Sequence, residues 1–93
     1  MIRSFASKET RAFFESGKCP SQWQSFQKVV KRKLDMLDAA GALGDLRSPP
    51  GNRLEALSRD RQGQHSIRIN DQWRICFRWT EQGAEDVEIV DYH

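Results

Sequence analysis

Three side chains that can donate, accept or hold protons stand together near the end of the sequence: Asp91, Tyr92 and His93. They directly follow a run, 86–90, whose residues are typical of a β-strand. An acid, a phenol and an imidazole in this position offer general acid or base catalysis. The charge of Asp91 favours the imidazolium form of His93 where the two groups are close. This tail is therefore a candidate catalytic element.

The basic residues are divided unevenly along the chain. All five lysines lie within residues 1–33, whereas residues 46–79 contain seven arginines and no lysine. The planar guanidinium group grips phosphate through two hydrogen bonds and stacks on bases. The second half of the chain is thus a candidate polyanion site. A solvated surface of salt bridges would produce the same charge pattern.

Together these residue types cover the needs of one reaction, the cleavage of RNA by its own 2′-hydroxyl group. That reaction requires a base for the hydroxyl, cations beside the phosphoryl oxygens and an acid for the leaving 5′-oxygen. Arg74 is the expected phosphate clamp, with Arg59 or Arg61 assisting. Tyr92 would stack on a base or contact phosphate, and His93 would act as general acid or base.

The register of the central hairpin decides which side chains share a face. A three-residue connection, 70–72, sets Ile67 opposite Ile75 and Arg68 opposite Arg74, whereas a two-residue turn would mismatch the two faces. Like charges directly opposite one another are destabilising unless an anion lies close by. Arg68 is therefore expected to join Arg74 in contacting a substrate.

The last predicted strand contributes to the same face. If Val87 and Ile89 join the apolar side of the sheet, Glu88 and Tyr92 lie on the side of the arginines. Glu88 is then expected to neutralise Arg78.

The elements that must position these groups are predicted from hydrophobic periodicity. We expect a short strand at 2–5, a helix at 8–16 ended by Gly17, a loop at 47–53 and a short strand at 54–57. A second helix should run from a capping box at Ser21 and Gln24 to about residue 40. Its apolar face consists of Trp23, Phe26, Val30, Leu34 and Leu37. Its basic residues, Lys28, Lys31, Arg32 and Lys33, are expected to face solvent or a partner.

Length and composition suit one α+β domain spanning residues 1–93. No apolar run is long enough to cross a bilayer and the beginning of the sequence lacks the pattern of a signal peptide, so a cytoplasmic location is expected. Cys19 and Cys76 have neither metal-ligand nor C-x-x-C spacing. We therefore expect reduced thiols, no structural zinc and no cofactor.

A family resemblance adds to this interpretation. The segment RSPPGNRLEALSRDRQGQHSIRINDQWRICFRW, followed by EIVDYH, resembles the HigB branch of the RelE-like toxins. Within that branch it is especially similar to the GraT toxins of GraTA systems. The stretch KRKLDMLDAA also matches, so the resemblance covers nearly the whole chain.

The resemblance implies a small α+β toxin with two N-terminal helices packed on a mostly antiparallel sheet. It implies a metal-independent endoribonuclease that cuts mRNA in the ribosomal A site and contacts rRNA. The partner would be a HigA-like antitoxin with a helix-turn-helix domain, which holds the monomeric toxin inactive in a hetero-oligomer. The sheet arginine of the family falls on Arg74, and its C-terminal acid, tyrosine and histidine fall on Asp91, Tyr92 and His93.

One position departs from the family pattern. Better-known HigB toxins have a histidine and a lysine in the strand after the loop, where this chain has Glu55 and Ser58. A carboxylate base with a histidine acid is a workable pair for ribonuclease chemistry, so Glu55 is a candidate base. Alternatively, Glu55 forms a salt bridge with Arg53 or Arg59. These arginines are also expected to contact the substrate.

Two other functions fit the same residues. One is a toxin of this fold that inhibits a protein target such as DNA gyrase without catalysis. The other is a non-enzymatic RNA-binding module, whose binding would depend strongly on salt. The arginine-rich sheet favours RNA over gyrase, and the terminal D-Y-H favours the enzyme over both alternatives.

Overall fold

A computed structural model describes residues 1–91 of the chain. Its helices are α1 (Lys8–Ser16) and α2 (Gln27–Ala39), and its strands are β1 (Glu55–Ala56), β2 (His65–Arg68), β3 (Trp73–Thr80) and β4 (Gly83–Asp91). Short 3₁₀ helices form at Ser21–Phe26, Leu43–Arg47, Pro50–Asn52 and Arg59–Arg61. The predicted α+β class, with two helices before a mostly antiparallel sheet, is confirmed.

The four strands form a sheet in the order β1-β2-β3-β4, and each neighbouring pair is antiparallel. In the central hairpin Ile67 pairs with Ile75 and Arg68 with Arg74, as the three-residue connection predicts. Asn70 stabilises this turn because its side-chain oxygen accepts hydrogen bonds from the backbone N–H groups of Gln72 and Trp73. The register predicted from the hydrophobic pattern is therefore correct.

The core lies between the two helices and one face of the sheet. Its buried residues are Phe13, Trp23, Val30, Leu34, Leu37, Leu46, Ile67, Ile69, Ile75, Phe77, Ala84, Val87 and Ile89. The helix α1 begins with Ser7, whose side chain accepts from Thr10 N–H, and ends at Gly17 in the left-handed conformation. Both ends of α1 agree with the sequence prediction.

The second helix differs from its prediction in its first turns. Ser21–Phe26 is a 3₁₀ helix that begins after Pro20, and Ser21 caps nothing, so the predicted capping box is wrong. Residues three apart are eclipsed in a 3₁₀ helix. Trp23 and Phe26 consequently lie on one side, with ring centroids 6.4 and 6.2 Å from that of Trp73. Packing of these two rings on Trp73 therefore explains the 3₁₀ conformation of Ser21–Phe26 better than a capping box at Ser21 and Gln24 does.

Lys33 does not face solvent or a partner, so the sequence prediction for this residue is also wrong. Only 6% of its surface is exposed, and its ammonium group donates to Oδ1 of the fully buried Asn52. The reason is its position one turn after Val30, beside Leu34, where the apolar face of α2 meets the loop before β1. Burial lowers the pKa of Lys33, and the charges of Arg32 and Arg68 lower it further.

The strand β4 is longer than predicted and contains a bulge. Cys76 pairs with Glu88 but Arg78 pairs with Glu85, so β4 has one extra residue in this interval. Asp86, at the bulge, has a positive φ of 52°. The bulge moves Glu88 away from Arg78, which instead contacts Asp86 at 3.4 Å. The predicted Glu88–Arg78 pair is therefore wrong.

The N-terminal segment runs parallel to β4 at the edge of the sheet, through bridges from Ile2 to Ala84 and from Phe5 to Val87. At Gly83, with φ of 127°, an added Cβ would lie 2.1 Å from the carbonyl oxygen of Met1. Only glycine permits this close approach. Among residues 1–91, no helix has the length and apolar character needed to cross a membrane.

Candidate active site

The face of the sheet opposite the helices carries the polar side chains of the strands. We call it the arginine face. Because side chains alternate along a strand, it consists of residues in register with Arg74. It includes Glu55, Ser66, Arg68, Arg74, Cys76, Arg78, Glu85, Glu88 and Val90. Three of the seven arginines in residues 46–79 therefore share this face: Arg68, Arg74 and Arg78.

Arg74 lies near the middle of this face and is only 8% exposed. Its Nε donates to Ser66 Oγ at 2.8 Å, and its Nη2 donates to the backbone carbonyl of Arg53 at 2.6 Å. Its Nη1 lies 3.4 Å from Glu55 Oε1. A buried cation held by several elements has a fixed orientation, which favours the stabilisation of charge on a reacting group.

Glu55 provides an acidic side chain in contact with Arg74. It belongs to β1, directly opposite Ser66, and about half of its side chain remains exposed. The sequence prediction of a salt bridge between Glu55 and Arg53 or Arg59 is therefore wrong, because within residues 1–91 the cation that Glu55 contacts is Arg74. The period of two in the sheet explains this, since both side chains lie on the same face. A half-exposed carboxylate beside a fixed guanidinium can accept a proton from a bound substrate.

A second ion pair lies on the same face. Arg61 donates to Glu88 at 2.8 Å and to Gln64 at 3.1 Å, and both charged side chains are partly buried. Below them Cys76 is fully buried, and burial raises the pKa of its thiol. The charges of Arg61, Glu88 and Arg74 also act on that thiol. Arg61 and Arg74 thus both lie near enough to Cys76 for their charges to act on its thiol.

The other predicted arginines lie around this centre. Arg59 lines a shallow groove of about 410 Å³ together with Glu55 and Arg61. The Arg53 side chain lines a separate groove with Arg47 and His65. The structure thus brings Glu55 into contact with Arg74 and places Arg59 and Arg61 with Glu55 around one groove. Arg68 lies beside Arg74 but pairs with Asp71 in the β2–β3 turn.

The predicted tail begins at Asp91, the last described residue. Asp91 pairs with Trp73 across the β3–β4 ladder, so it shares the face of Ile89 rather than that of Arg74. Its carboxylate accepts from Gln72 Nε2 at 3.0 Å, which fastens the end of β4 to the β2–β3 turn. Tyr92 and His93 lie outside the described residues. The predicted roles of these two side chains remain predictions.

From the sequence, Ser66 is not singled out as a site residue, and Glu88 is expected on the arginine face with a different partner. Ser66 is fully buried and holds Arg74 Nε, and Glu88 holds Arg61. The alternation of β2 contains the signal for Ser66, because Ser66 and Arg68 lie two residues apart. The partner of Glu88 has no sequence signal, because it depends on the bulge and on a turn 27 residues earlier.

Side chains that could ligate a metal are dispersed over the described part of the chain. Within residues 1–91, no three His, Cys, Asp or Glu side chains come together in a way that could hold a metal ion. The polar chemistry of the arginine face, as far as the structure describes it, consists of guanidinium, carboxylate, hydroxyl and backbone carbonyl groups.

Comparison with solved structures identifies the fold. The chain superposes on a chain of the YoeB–YefM complex from Staphylococcus aureus with a TM-score of 0.57 and 16% identity, covering 100% of this chain and 98% of the other. A YoeB dimer from the same organism gives a TM-score of 0.57 at 20% identity, covering 99% and 94%. The fold is therefore RelE/YoeB-like.

Comparison of sequences identifies the family. The chain is 42% identical over 85 residues to Toxin HigB-1 of Vibrio cholerae serotype O1, covering 87% of this chain and 86% of that protein. It is 30% identical over 93 residues to Endoribonuclease HigB of Proteus vulgaris, covering all of both chains. The family model for the RelE-like toxin of the type II toxin-antitoxin system HigB matches residues 3–93. The chain therefore belongs to the HigB-like family of type II toxins.

Proposed function

We propose that this toxin is an endoribonuclease that cleaves mRNA on the ribosome without a metal ion. The observation that carries the proposal is the pairing of a buried, fixed Arg74 with the half-exposed carboxylate of Glu55 at 3.4 Å on an arginine-rich face. A phosphodiester laid across this face would meet a cation and a base together. The name of the Proteus vulgaris relative, an endoribonuclease, supports the same chemistry.

In the proposed reaction Glu55 takes the proton of the 2′-hydroxyl group, whose oxygen then attacks the adjacent phosphorus. Arg74 stabilises the charge that develops on the phosphoryl oxygens. His93 gives a proton to the departing 5′-oxygen. The P–O2′ bond forms as the P–O5′ bond breaks, which leaves a 2′,3′-cyclic phosphate and a 5′-hydroxyl. The carboxylate thus ends with one proton and the imidazole with one fewer.

The remaining predicted residues have supporting roles in this proposal. Tyr92 stacks on a base next to the scissile bond. Asp91 acts through its contact with Gln72, which holds the end of β4 and so the start of the tail that carries His93. The arginines at 53, 59, 61 and 68 contact the phosphates on either side, and the release of counterions gives this binding a strong salt dependence.

We further propose a HigA-like antitoxin with a helix-turn-helix domain as the protein partner, bound to a monomeric toxin in a hetero-oligomer. The YoeB–YefM structures support a toxin-antitoxin complex for this fold. The exposed basic residues of α2 rim an apolar groove with Phe13 as part of its lining: Lys28, Lys31 and Arg32. This surface suits rRNA or an acidic antitoxin segment. We also propose that the toxin acts in the cytoplasm and that, within the family, it is especially similar to the GraT toxins.

The test is a map of mRNA 5′ ends during brief expression of the toxin, followed by cleavage of purified mRNA with and without ribosomes and with and without EDTA. We expect new mRNA 5′ ends in cells and cleavage of purified mRNA only when ribosomes are present. We also expect the cleavage rate to be unchanged by EDTA under conditions that keep the ribosomes assembled. Growth arrest with uncut transcripts and a DNA-damage response would instead indicate a gyrase-type target. Salt-dependent RNA binding without arrest or cleavage would indicate an RNA-binding module.

A further inference from the structure

The guanidinium group of Arg74 has a contact with the protein backbone as well as contacts with side chains. Ser66 and Glu55 contact the guanidinium group through their side chains, whereas Arg53 contacts it through its backbone carbonyl, at 2.6 Å from Nη2. Its distance is shorter than those to Ser66, at 2.8 Å, and to Glu55, at 3.4 Å. The direction of a backbone carbonyl is set by the dihedral angles of its own residue, so the conformation of Arg53 bears directly on Arg74.

Arg53 has an unusual backbone conformation. Its φ of 46° and ψ of 57° lie in the left-handed region, and its N–H donates to the carbonyl of Pro50 at 3.1 Å. Residues with a Cβ atom enter this region at a steric cost, which is small for asparagine, absent for glycine and largest for β-branched residues. Arg53 is exposed, so its side chain is not held in a core that would explain the conformation.

The turn that ends at Arg53 is anchored from the interior of the protein. Asn52 is fully buried, and its Nδ2 donates to the carbonyls of Leu46 at 3.0 Å and Ser48 at 3.3 Å. Its Oδ1 accepts from the buried ammonium group of Lys33 on α2. A continuous series of polar contacts therefore leads from α2, through the 3₁₀ turn at Pro50–Asn52, to the carbonyl that meets Arg74.

We propose that Arg53 is a positioning residue, which orients Arg74 through the carbonyl of its left-handed backbone, and that Asn52 holds the turn in place. For the orientation of Arg74, the requirement at position 53 is a backbone conformation and not a charge. This inference rests on the proposed function for its catalytic consequence, while its structural half concerns the free protein alone.

Substitutions at position 53 separate the backbone from the guanidinium group. Four substitutions remove the same cation but differ in how well they accept the left-handed conformation. The conformation becomes less favourable in the order Arg53→Gly, Arg53→Asn, Arg53→Ala and Arg53→Val. In cleavage of mRNA on ribosomes, kcat should fall in that order, with Val lower than Gly by up to about 100-fold, as expected when a catalytic group is misplaced. The KM values of the four variants should agree within about threefold, since each has lost the same phosphate contact. Equal kcat values across the series, or any other order, would overturn the proposal.

A second measurement does not depend on activity. In ¹⁵N spectra of arginine side chains, the hydrogen bond from Nη2 should slow rotation of the Arg74 guanidinium group in the parent protein and in Arg53→Gly. Arg53→Val should lose this effect, and Arg53→Ala provides the comparison if the valine variant does not fold. An Arg74 signal that is the same throughout the series would contradict the inference. If the parent protein cuts no RNA, the proposed function fails, while these spectra still decide whether Arg53 positions Arg74.

Discussion

Nη1 of Arg74 and Oε1 of Glu55 lie 3.4 Å apart, although the two residues belong to strands that are not neighbours. The small, fully buried side chain of Ser66 lies between them in the sheet and allows the contact. The Arg74 side chain is almost entirely buried, whereas about half of the Glu55 side chain is exposed. A substrate that approaches this face can therefore reach the carboxylate while the cation stays fixed.

Substitution of Arg74 should remove cleavage. Arg74→Ala loses the cation, and Arg74→Lys keeps a charge but cannot donate in a planar fork to both Ser66 and the Arg53 carbonyl. Both variants should lower kcat on ribosome-bound mRNA by at least about 100-fold, the usual effect of losing one charge-stabilising donor. Arg78→Ala is the matched control, because Arg78 lies on the same strand and face but is 45% exposed and pairs with Asp86. Equal losses in the Arg74 and Arg78 variants would contradict the assignment.

Glu55→Gln tests the proposed base. The amide is the same size and keeps a contact with Arg74, but it cannot accept the proton of the 2′-hydroxyl group. We expect kcat to fall by about 10² to 10⁴ while the melting temperature changes little, because the side chain is half-exposed. Glu85→Gln, on β4 opposite Arg78, serves as the control for the loss of one negative charge. Cleavage by Glu55→Gln within a few-fold of the parent would leave Glu55 only a salt-bridge role.

His93 is the proposed acid, and its removal should separate activity from folding. A chain that lacks His93, and the variant His93→Gln, should lose about 10² to 10⁴ in kcat and retain the circular dichroism spectrum of the parent. The other histidine offers a contrast, since the His65 ring stacks 6.3 Å from that of Phe77 and its Nδ1 is buried without a partner among residues 1–91. His65→Gln should lower the melting temperature and leave kcat near the parent value. Full activity without His93 would require another acid.

Lys33 predicts a pH dependence of stability. Burial lowers its pKa below the ordinary value of 10.5, so between the folded pKa and 10.5 the unfolded chain binds more protons than the folded chain. The contribution of Lys33 to the free energy of unfolding should therefore rise with pH in this window and fall as pH decreases through the folded pKa. The slope cannot exceed about 1.4 kcal/mol per pH unit for one proton.

The measurement is urea unfolding of the parent protein and of Lys33→Met from about pH 7 to about pH 11. Taking the difference between the two chains removes the titration of the other lysines. We expect the free energy of unfolding of the parent, minus that of Lys33→Met, to increase as the pH rises. A difference that is constant over this range, or that moves in favour of Lys33→Met, would show that burial does not lower the pKa of Lys33.

Local patterns in the sequence determine the fold class and the register. The alternation of Ile67 and Ile69 with Arg68, and the apolar residues of β3, fix which side chains face the helices, because a shift by one residue would bury arginines. The same alternation places Arg68 opposite Arg74. Family motifs single out Arg74 and the tail by residue type and spacing alone. These properties follow from residues close together in the chain.

Only the tertiary structure decided which groups meet. Lys33 reaches Asn52 across 19 residues, Arg74 reaches the Arg53 carbonyl across 21 and Arg61 reaches Glu88 across 27. The bulge in β4 and the left-handed conformation of Arg53 contribute to two of these contacts. The residues at these positions, Asp86 and Arg53, do not by themselves predict either feature from the sequence. The sequence by itself determined that Arg74 lies on the face of the sheet opposite the apolar residues. Packing decided that Ser66, Glu55 and the backbone carbonyl of Arg53 contact that cation, because long-range contacts depend on the shape of the whole core.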